Sequence, residues 1–142
     1  MKGLKYTAQM QAMRWIHPDD SRAFELMWVW LNAAARHTFI GALYHPPKPK
    51  YQPSTLVDFI AANVSAIRRQ FPSSPVVLAG DFNRLPCREV ASRCGLRQIV
   101  DRPTCGARIL DRIYVSHGTC YSGVDVVQPR VCSDHKAVVA YT

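Results

Sequence analysis

A chain of 142 residues that is 48% hydrophobic is sized for one domain with a real core. Its 18 basic and 10 acidic side chains leave a charge of +8 and a pI near 9.6, an excess that favours a polyanionic partner, nucleic acid before anionic lipid. Residues 1–6 lack the apolar stretch of a secretion signal and no run is long enough to span a bilayer; the five Cys contain no CxxC pair, which speaks against a zinc ribbon or a thioredoxin-like motif.

The expectation is therefore an intracellular protein, nuclear or cytoplasmic, not secreted, without membrane contact and with reduced thiols. Residues 1–23 carry the weakest pattern. Met10, Met13, Trp15 and Ile16 can belong to a strand or an irregular cover, and His17-Pro18-Asp19-Asp20-Ser21 is a turn signal. Residues 24–31 are apolar on both alternating faces apart from Glu25, which predicts a strand covered on both sides. A second strand is predicted at 38–44, antiparallel to the first because the link is short. Tyr44-His45-Pro46-Pro47-Lys48-Pro49-Lys50 then leaves the sheet as a proline-stiffened loop, by composition a connector. Leu56, Ile60, Val64, Ile67 and Phe71 recur at helical spacing over 54–71. Thr55 with Asp58 reads as a capping box, Arg68 and Arg69 suit the dipole of the last turn, and Pro72 ends the helix.

Val76-Val77-Leu78-Ala79-Gly80 is a short apolar run between turn formers, the pattern of a strand buried on both faces. Asp81 and Asn83 stand just beyond its carboxyl end, where α/β sheets place their ligands. If the chain stays extended, the two side chains share one face and can reach one bound group; the alternative is an Asx-type turn. A short helix is predicted over 86–94 with Gly95 as its stop, then an extended piece at 96–100 and a turn at 101–104. Residues 109–115 alternate, so that Ile109, Asp111, Ile113 and Val115 share one face. A carboxylate in an apolar row needs a partner. Strands are predicted at 124–127 and 137–140, with Ser133-Asp134-His135 before the last.

Asp81, Asp111 and Asp134 thus mark strand ends or a buried strand face. Adjacent Asp134 and His135 on an extended chain point oppositely, which leaves Asp111 as the natural partner of His135. Thirteen of the basic residues are Arg, suited to forked phosphate contacts, and seven of them crowd between Arg84 and Arg112.

Gly80-Asp81-Phe82-Asn83, Leu110-Asp111-Arg112-Ile113 and Ser133-Asp134-His135, in that order, resemble the endonuclease/exonuclease/phosphatase superfamily. Leu43-Tyr44-His45-Pro46-Pro47 and Arg102-Pro103-Thr104 resemble, within it, the apurinic-type endonuclease domains of non-LTR (LINE-like) retrotransposons. The resemblance covers about residues 24–142. It implies an α/β (α+β) fold, a four-layer α/β sandwich of two mainly antiparallel sheets flanked by helices. It also implies phosphodiester cleavage of DNA with Mg²⁺ or Mn²⁺. By resemblance Asp81 orients or deprotonates the attacking water, Asn83 holds the scissile phosphate, and His135 stabilises charge growing on it. Asp111 would hold His135, Tyr44 would lend its hydroxyl to the phosphate, and Asp134, with Asp81, would lie by the metal. Arg84, Arg102, Arg108 and Arg112 are the expected contacts to the DNA backbone.

The match is incomplete. The family's metal-binding Glu and a further Asn, both on early strands, have no counterpart here: Glu25 sits on a strand matching a later one, and Asp19 and Asp20 sit in a turn. Residues 1–142 are therefore expected to form a single domain that begins partway through the family fold, with little or no nuclease activity alone and an exposed sheet edge that invites self-association. Relatives favour Asp and Arg at the positions of Cys87 and Cys105. Two other functions fit the same residues: a non-catalytic nucleic-acid-binding or interaction module, and a phosphatase of the same superfamily.

Overall fold

The computed structural model describes residues 9–13, 24–33, 36–116 and 121–141. In chain order these form β1 (Gln9–Met13), β2 (Glu25–Ala33), β3 (Arg36–Tyr44), α1 (Pro53–Gln70), β4 (Val76–Asp81), α2 (Cys87–Cys94), β5 (Arg97–Gln98), β6 (Asp111–Val115), β7 (Gly123–Val127) and β8 (Ala137–Tyr141). Trp15, Ile16, the turn predicted at 17–21 and Cys120 fall outside the described residues.

One sheet has the strand order β1-β2-β3-β4-β6-β5; β7 and β8 pair as a second, antiparallel sheet. Every pairing in the larger sheet is antiparallel except β3 with β4. α1 supplies the long crossover that a parallel pair requires. Two mainly antiparallel sheets with helices against the larger one give the mixed α/β architecture expected from the sequence. No helix among the described residues is long and apolar enough to cross a membrane.

The core lies between α1 and one face of the large sheet. Leu56, Ile60, Val64 and Ile67 are each at most 1% exposed, the helical row that the spacing predicts. They share a cluster with Trp28, Phe39, Leu43, Leu78, Phe82 and Tyr114. Burying one such aliphatic side chain contributes about 1.5–3 kcal/mol. Tyr114, on the opposite face of β6 from Asp111, packs its ring at a tilt with centroid 4.9 Å from that of Phe82.

Two local expectations change. β2 is not covered on both sides: Trp28 is 2% exposed and Met27 56%, because the helices lie on the Trp28 face and the described residues leave the other open. The Thr55–Asp58 capping box does not form. Pro53, with its preset φ, opens α1 earlier, Gln52 is the N-cap without a side-chain bond, and Thr55 N–H donates to Gln52 O at 3.0 Å. Asp58 instead pairs with Arg93 of α2. Arg68 likewise serves the neighbouring helix, donating to Cys94 O at 2.8 Å and Gly95 O at 2.9 Å. It satisfies carbonyls at the end of α2, where Gly95 takes the left-handed conformation, φ 59°, expected of the stop.

Gly80 has φ +145°, and a Cβ there would overlap the Leu43 carbonyl oxygen of the parallel neighbour. Gly80→Ala is therefore expected to destabilise the fold by more than about 3 kcal/mol in urea unfolding, whereas Cys87→Ser on the exposed surface of α2 should stay within about 0.5 kcal/mol. Equal stability of Gly80→Ala and the parent would show that this close approach is not required.

Candidate active site

Strand register assembles the site. Tyr44 at the end of β3 stands opposite Asp81 at the end of β4, and Asp81 stands opposite Asp111 at the start of β6. Residues opposite one another in register share a face. Their neighbours Leu43 and Phe82 point into the core, so the hydroxyl and both carboxylates form a row on the other face.

Beyond Asp81 the chain does not stay extended. Asp81 Oδ1 accepts the Asn83 N–H at 3.0 Å and Asn83 has φ 42°, so the Asx-type turn forms and the shared extended face does not. Asn83 reaches the site region another way: its Nδ2 donates to His45 O at 2.7 Å. His45 N–H in turn donates to Asp81 O at 2.8 Å. The His45 ring is 2% exposed, and the Tyr51 hydroxyl lies 2.9 Å from its Nδ1. Burial pulls the His45 pKa below its ordinary value against the opposing charge of Asp81, and burial followed by the charge of Glu25 raises that of Tyr51. Both shifts favour a neutral ring accepting a hydroxyl proton. His45 is thus a positioning residue that clamps Asp81 and Asn83, which the reading of this loop as a connector missed. A His between Tyr44 and two prolines was the available signal.

His135 Nδ1 lies 2.8 Å from Asp111 Oδ2. This hydrogen bond is the largest cause raising the His135 pKa; burial opposes it, and the charges of Asp111, Asp81 and Asp134 add to it. The imidazolium is favoured, with Nδ1–H donating to Asp111 and Nε2 left for a ligand. Thr104, 0% exposed, was also missed. Its Oγ1 accepts the N–H groups of Leu110 and Asp111, each at 3.0 Å, and its carbonyl accepts the Lys136 N–H at 2.7 Å. One residue therefore sets the start of β6 through its side chain and the segment before β8 through its carbonyl; the Arg102-Pro103-Thr104 motif was its only trace in the sequence.

Asp134 and His135 do not point apart as expected. Ser133 Oγ accepts the His135 N–H at 3.1 Å, bending the loop, and the ligand atoms of Cys105, Asp134 and His135 all lie within 4.8 Å of one another.

Of the four candidate DNA-contacting arginines, three converge. Arg84, Arg108 and Arg112, with Lys48 and Asn83, line a groove of about 680 Å³. Arg112 Nη1 is buried without a hydrogen-bond partner among the described residues. Arg102 is engaged elsewhere, donating to Val124 O at 2.5 Å and Asp125 Oδ1 at 2.9 Å and so tying β7 to the loop after β5. Asp125 also accepts from the Tyr141 hydroxyl; that bond, then the one from Arg102, holds its pKa low.

A large sheet with helices on one face, acidic residues in a row at its strand ends and a histidine held by one of them define an α/β fold of the nuclease and phosphatase kind. The Endonuclease/Exonuclease/phosphatase family matches by its sequence model over residues 8–135, and the chain belongs to that family. Solved structures agree in fold. The endonuclease domain of TRAS1, a telomere-specific non-LTR retrotransposon, is similar with TM-score 0.61 and 17% identity over 82% of this chain and 62% of that one. The human nocturnin catalytic domain with bound sulfate has TM-score 0.68 and 19% identity over 95% and 58%. D. rerio TDP2 in complex with a single-strand DNA product has TM-score 0.62 and 15% identity over 96% and 67%. The chain thus spans 58% to 67% of the length of these three. No curated protein matches it.

Members of the family generally depend on a divalent metal. The described residues offer Mg²⁺ little: it takes oxygen ligands in near-ideal octahedral geometry, usually one or two carboxylates with several waters. No three carboxylates among them gather within ligand distance of each other. Asp81 Oδ1 is taken by Asn83 and Asp111 Oδ2 by His135.

The His135–Asp111 contact has a pH signature. Because the folded-state pKa of His135 is raised above 6.5, its stabilisation is fully present below that value and is lost as pH rises through the raised pKa. An NMR titration of the His135 ring is expected to show a midpoint above 6.5 that Asp111→Asn moves down. A midpoint unmoved by that substitution would dissociate the two residues.

Proposed function

We propose that this chain is the phosphate-handling part of a DNA-cleaving phosphodiester hydrolase domain of the retrotransposon type. The observation that carries the reading is His135 hydrogen-bonded to Asp111, which stands in one row with Asp81 and Tyr44, together with a groove lined by Asn83, Arg84, Arg108 and Arg112. The motifs shared with retrotransposon endonuclease domains and the fold shared with TRAS1 support the element type.

Hydrolysis forms a bond from a water oxygen to phosphorus and breaks the bond to the leaving sugar oxygen. Asp81 is suited to orient that water and take its proton through the carboxylate oxygen that Asn83 does not occupy. His135, donating from Nε2, and the Tyr44 hydroxyl stabilise charge growing on the phosphoryl oxygens, and Asn83 holds the phosphate. Asp111 acts through His135. Toward the family's divalent ion, Mg²⁺ or Mn²⁺ in this reading, the described residues offer Asp134 and Asp81. Two carboxylates make a weak site. Nicking of supercoiled plasmid by the chain alone in Mg²⁺ is accordingly expected at or barely above the level of its His135→Ala variant.

DNA affinity decides the reading. Binding to random duplex is expected to fall steeply with salt, and Arg84→Ala and Arg108→Ala, both at exposed positions, should each lower the log–log slope by about 1 without altering sequence preference. Salt-independent binding, or hydrolysis of a phosphoinositide panel without DNA binding, would overturn it, the latter in favour of a phosphatase.

A further inference from the structure

Cys105 is the residue that the proposed function does not use, and the fold places it against the residue that function uses most. A backbone bridge pairs Cys105 with His135, and a second pairs it with Arg108. Cys105 N–H donates to Arg108 O at 3.1 Å and Arg108 N–H to Cys105 O at 2.9 Å, closing the hairpin turn that carries the thiol. Lys136 N–H, one residue past His135, donates to Thr104 O at 2.7 Å, one residue before Cys105. The two side chains are therefore held by main-chain pairing on both sides. Asp134 completes the group, with one ligand atom from each residue within 4.8 Å of the others.

We propose that Cys105, Asp134 and His135 form a binding site for a thiophilic divalent cation, Zn²⁺ by ligand chemistry. The donor set is a sulfur, an imidazole nitrogen and a carboxylate oxygen. It matches zinc, which takes such donors at about 2.0–2.3 Å in tetrahedral geometry, and it suits Mg²⁺ poorly because of the sulfur. Donors around such a centre lie about 3.3–3.8 Å apart, so small side-chain rotations close the group around an ion. A thiolate and a carboxylate together balance the charge of the cation, and the thiol proton is released to solvent on binding. The remaining position is open to water.

The second ring nitrogen is also arranged for this. Nδ1 of His135 is engaged with Asp111 Oδ2 at 2.8 Å, which leaves Nε2 as the nitrogen free to ligate, the carboxylate–histidine arrangement of metal sites. Asp111 then holds one ring for either role, a donor to phosphate or a ligand to zinc. Occupancy by zinc would remove Nε2 from the phosphate, so that the site acts as a switch on the DNA-cleaving reading. That consequence rests on the proposed function; the binding itself does not.

Titration of the full chain with Co²⁺ tests the binding without any assay of activity. Co²⁺ is expected to give a thiolate-to-metal charge-transfer band in the near ultraviolet and tetrahedral ligand-field bands in the visible, both displaced by equimolar Zn²⁺ and not by excess Mg²⁺. Cys105→Ser should abolish the charge-transfer band, and Asp111→Asn should weaken Zn²⁺ affinity about 10–100-fold through loss of the orienting bond. Cys87→Ser, on α2, should change nothing. The His135 NMR signal of the Cys105→Ser variant reports whether its loop still folds. A charge-transfer band of undiminished strength in folded Cys105→Ser, or one lost only in Cys132→Ser, would overturn the proposal. Absence of any band in the parent chain would do the same.

Discussion

Two carboxylates directly opposite each other on neighbouring strands repel, and the register of β4 and β6 puts Asp81 and Asp111 in that position. The hydrogen bond from His135 to Asp111 resolves the conflict. It places a ring that favours its charged form against one carboxylate, with the other close enough to raise the same pKa. Because His135 precedes β8 and Asp111 begins β6, the same contact joins the two sheets. Both groups are only partly exposed, 30% for His135 and 22% for Asp111, so solvent screening weakens the pair less than it would a surface ion pair.

The geometry around that contact is set largely by main-chain groups. His45 holds Asp81 through its N–H and Asn83 through its carbonyl; Thr104 holds Asp111 through its N–H and the approach to β8 through its own carbonyl. Backbone hydrogen bonds on sheet ends leave little freedom to the side chains they carry, which suits a site whose reacting groups must be held in place. Gly80 belongs to the same economy of space: without a side chain it lets the Leu43 carbonyl lie against β4 just before Asp81.

The chemistry of the site departs from what the fold alone would suggest. Hard carboxylate ligands are few among the described residues, and a thiol has entered beside the histidine. Cys105 differs in kind from Cys94 and Cys87: Cys94 is buried, with a pKa pushed up to about 11 chiefly by that burial, and Cys87 is exposed on a helix. Placement beside His135, not sulfur itself, gives Cys105 its interest.

Much of this was legible in the sequence because local rules decide it. The apolar run before Gly80, the helical row from Leu56 to Ile67 and the stop at Gly95 depend on periodicity and backbone preference, and they stand where those rules put them. Asp111 as the partner of His135 was also legible, since a carboxylate on an apolar strand face must find a cation or a donor. Other features depend on pairing between segments distant along the chain. The roles of His45 and Thr104 arise only when β3 meets β4 and the loop after β5 meets the segment before β8. Arg102 went to Asp125 and Arg68 to the end of α2 for the same reason: a long flexible cation goes to whichever acceptor the fold brings near. The turn at Asn83 and the bend at Ser133, each a choice between extended chain and a side-chain-to-backbone bond, were settled by the tertiary contacts on either side. Residue types along the chain determined which chemistry was available, and the register of the strands decided which of those groups met, because the pairings of β3 with β4 and of β4 with β6 join segments far apart along the chain.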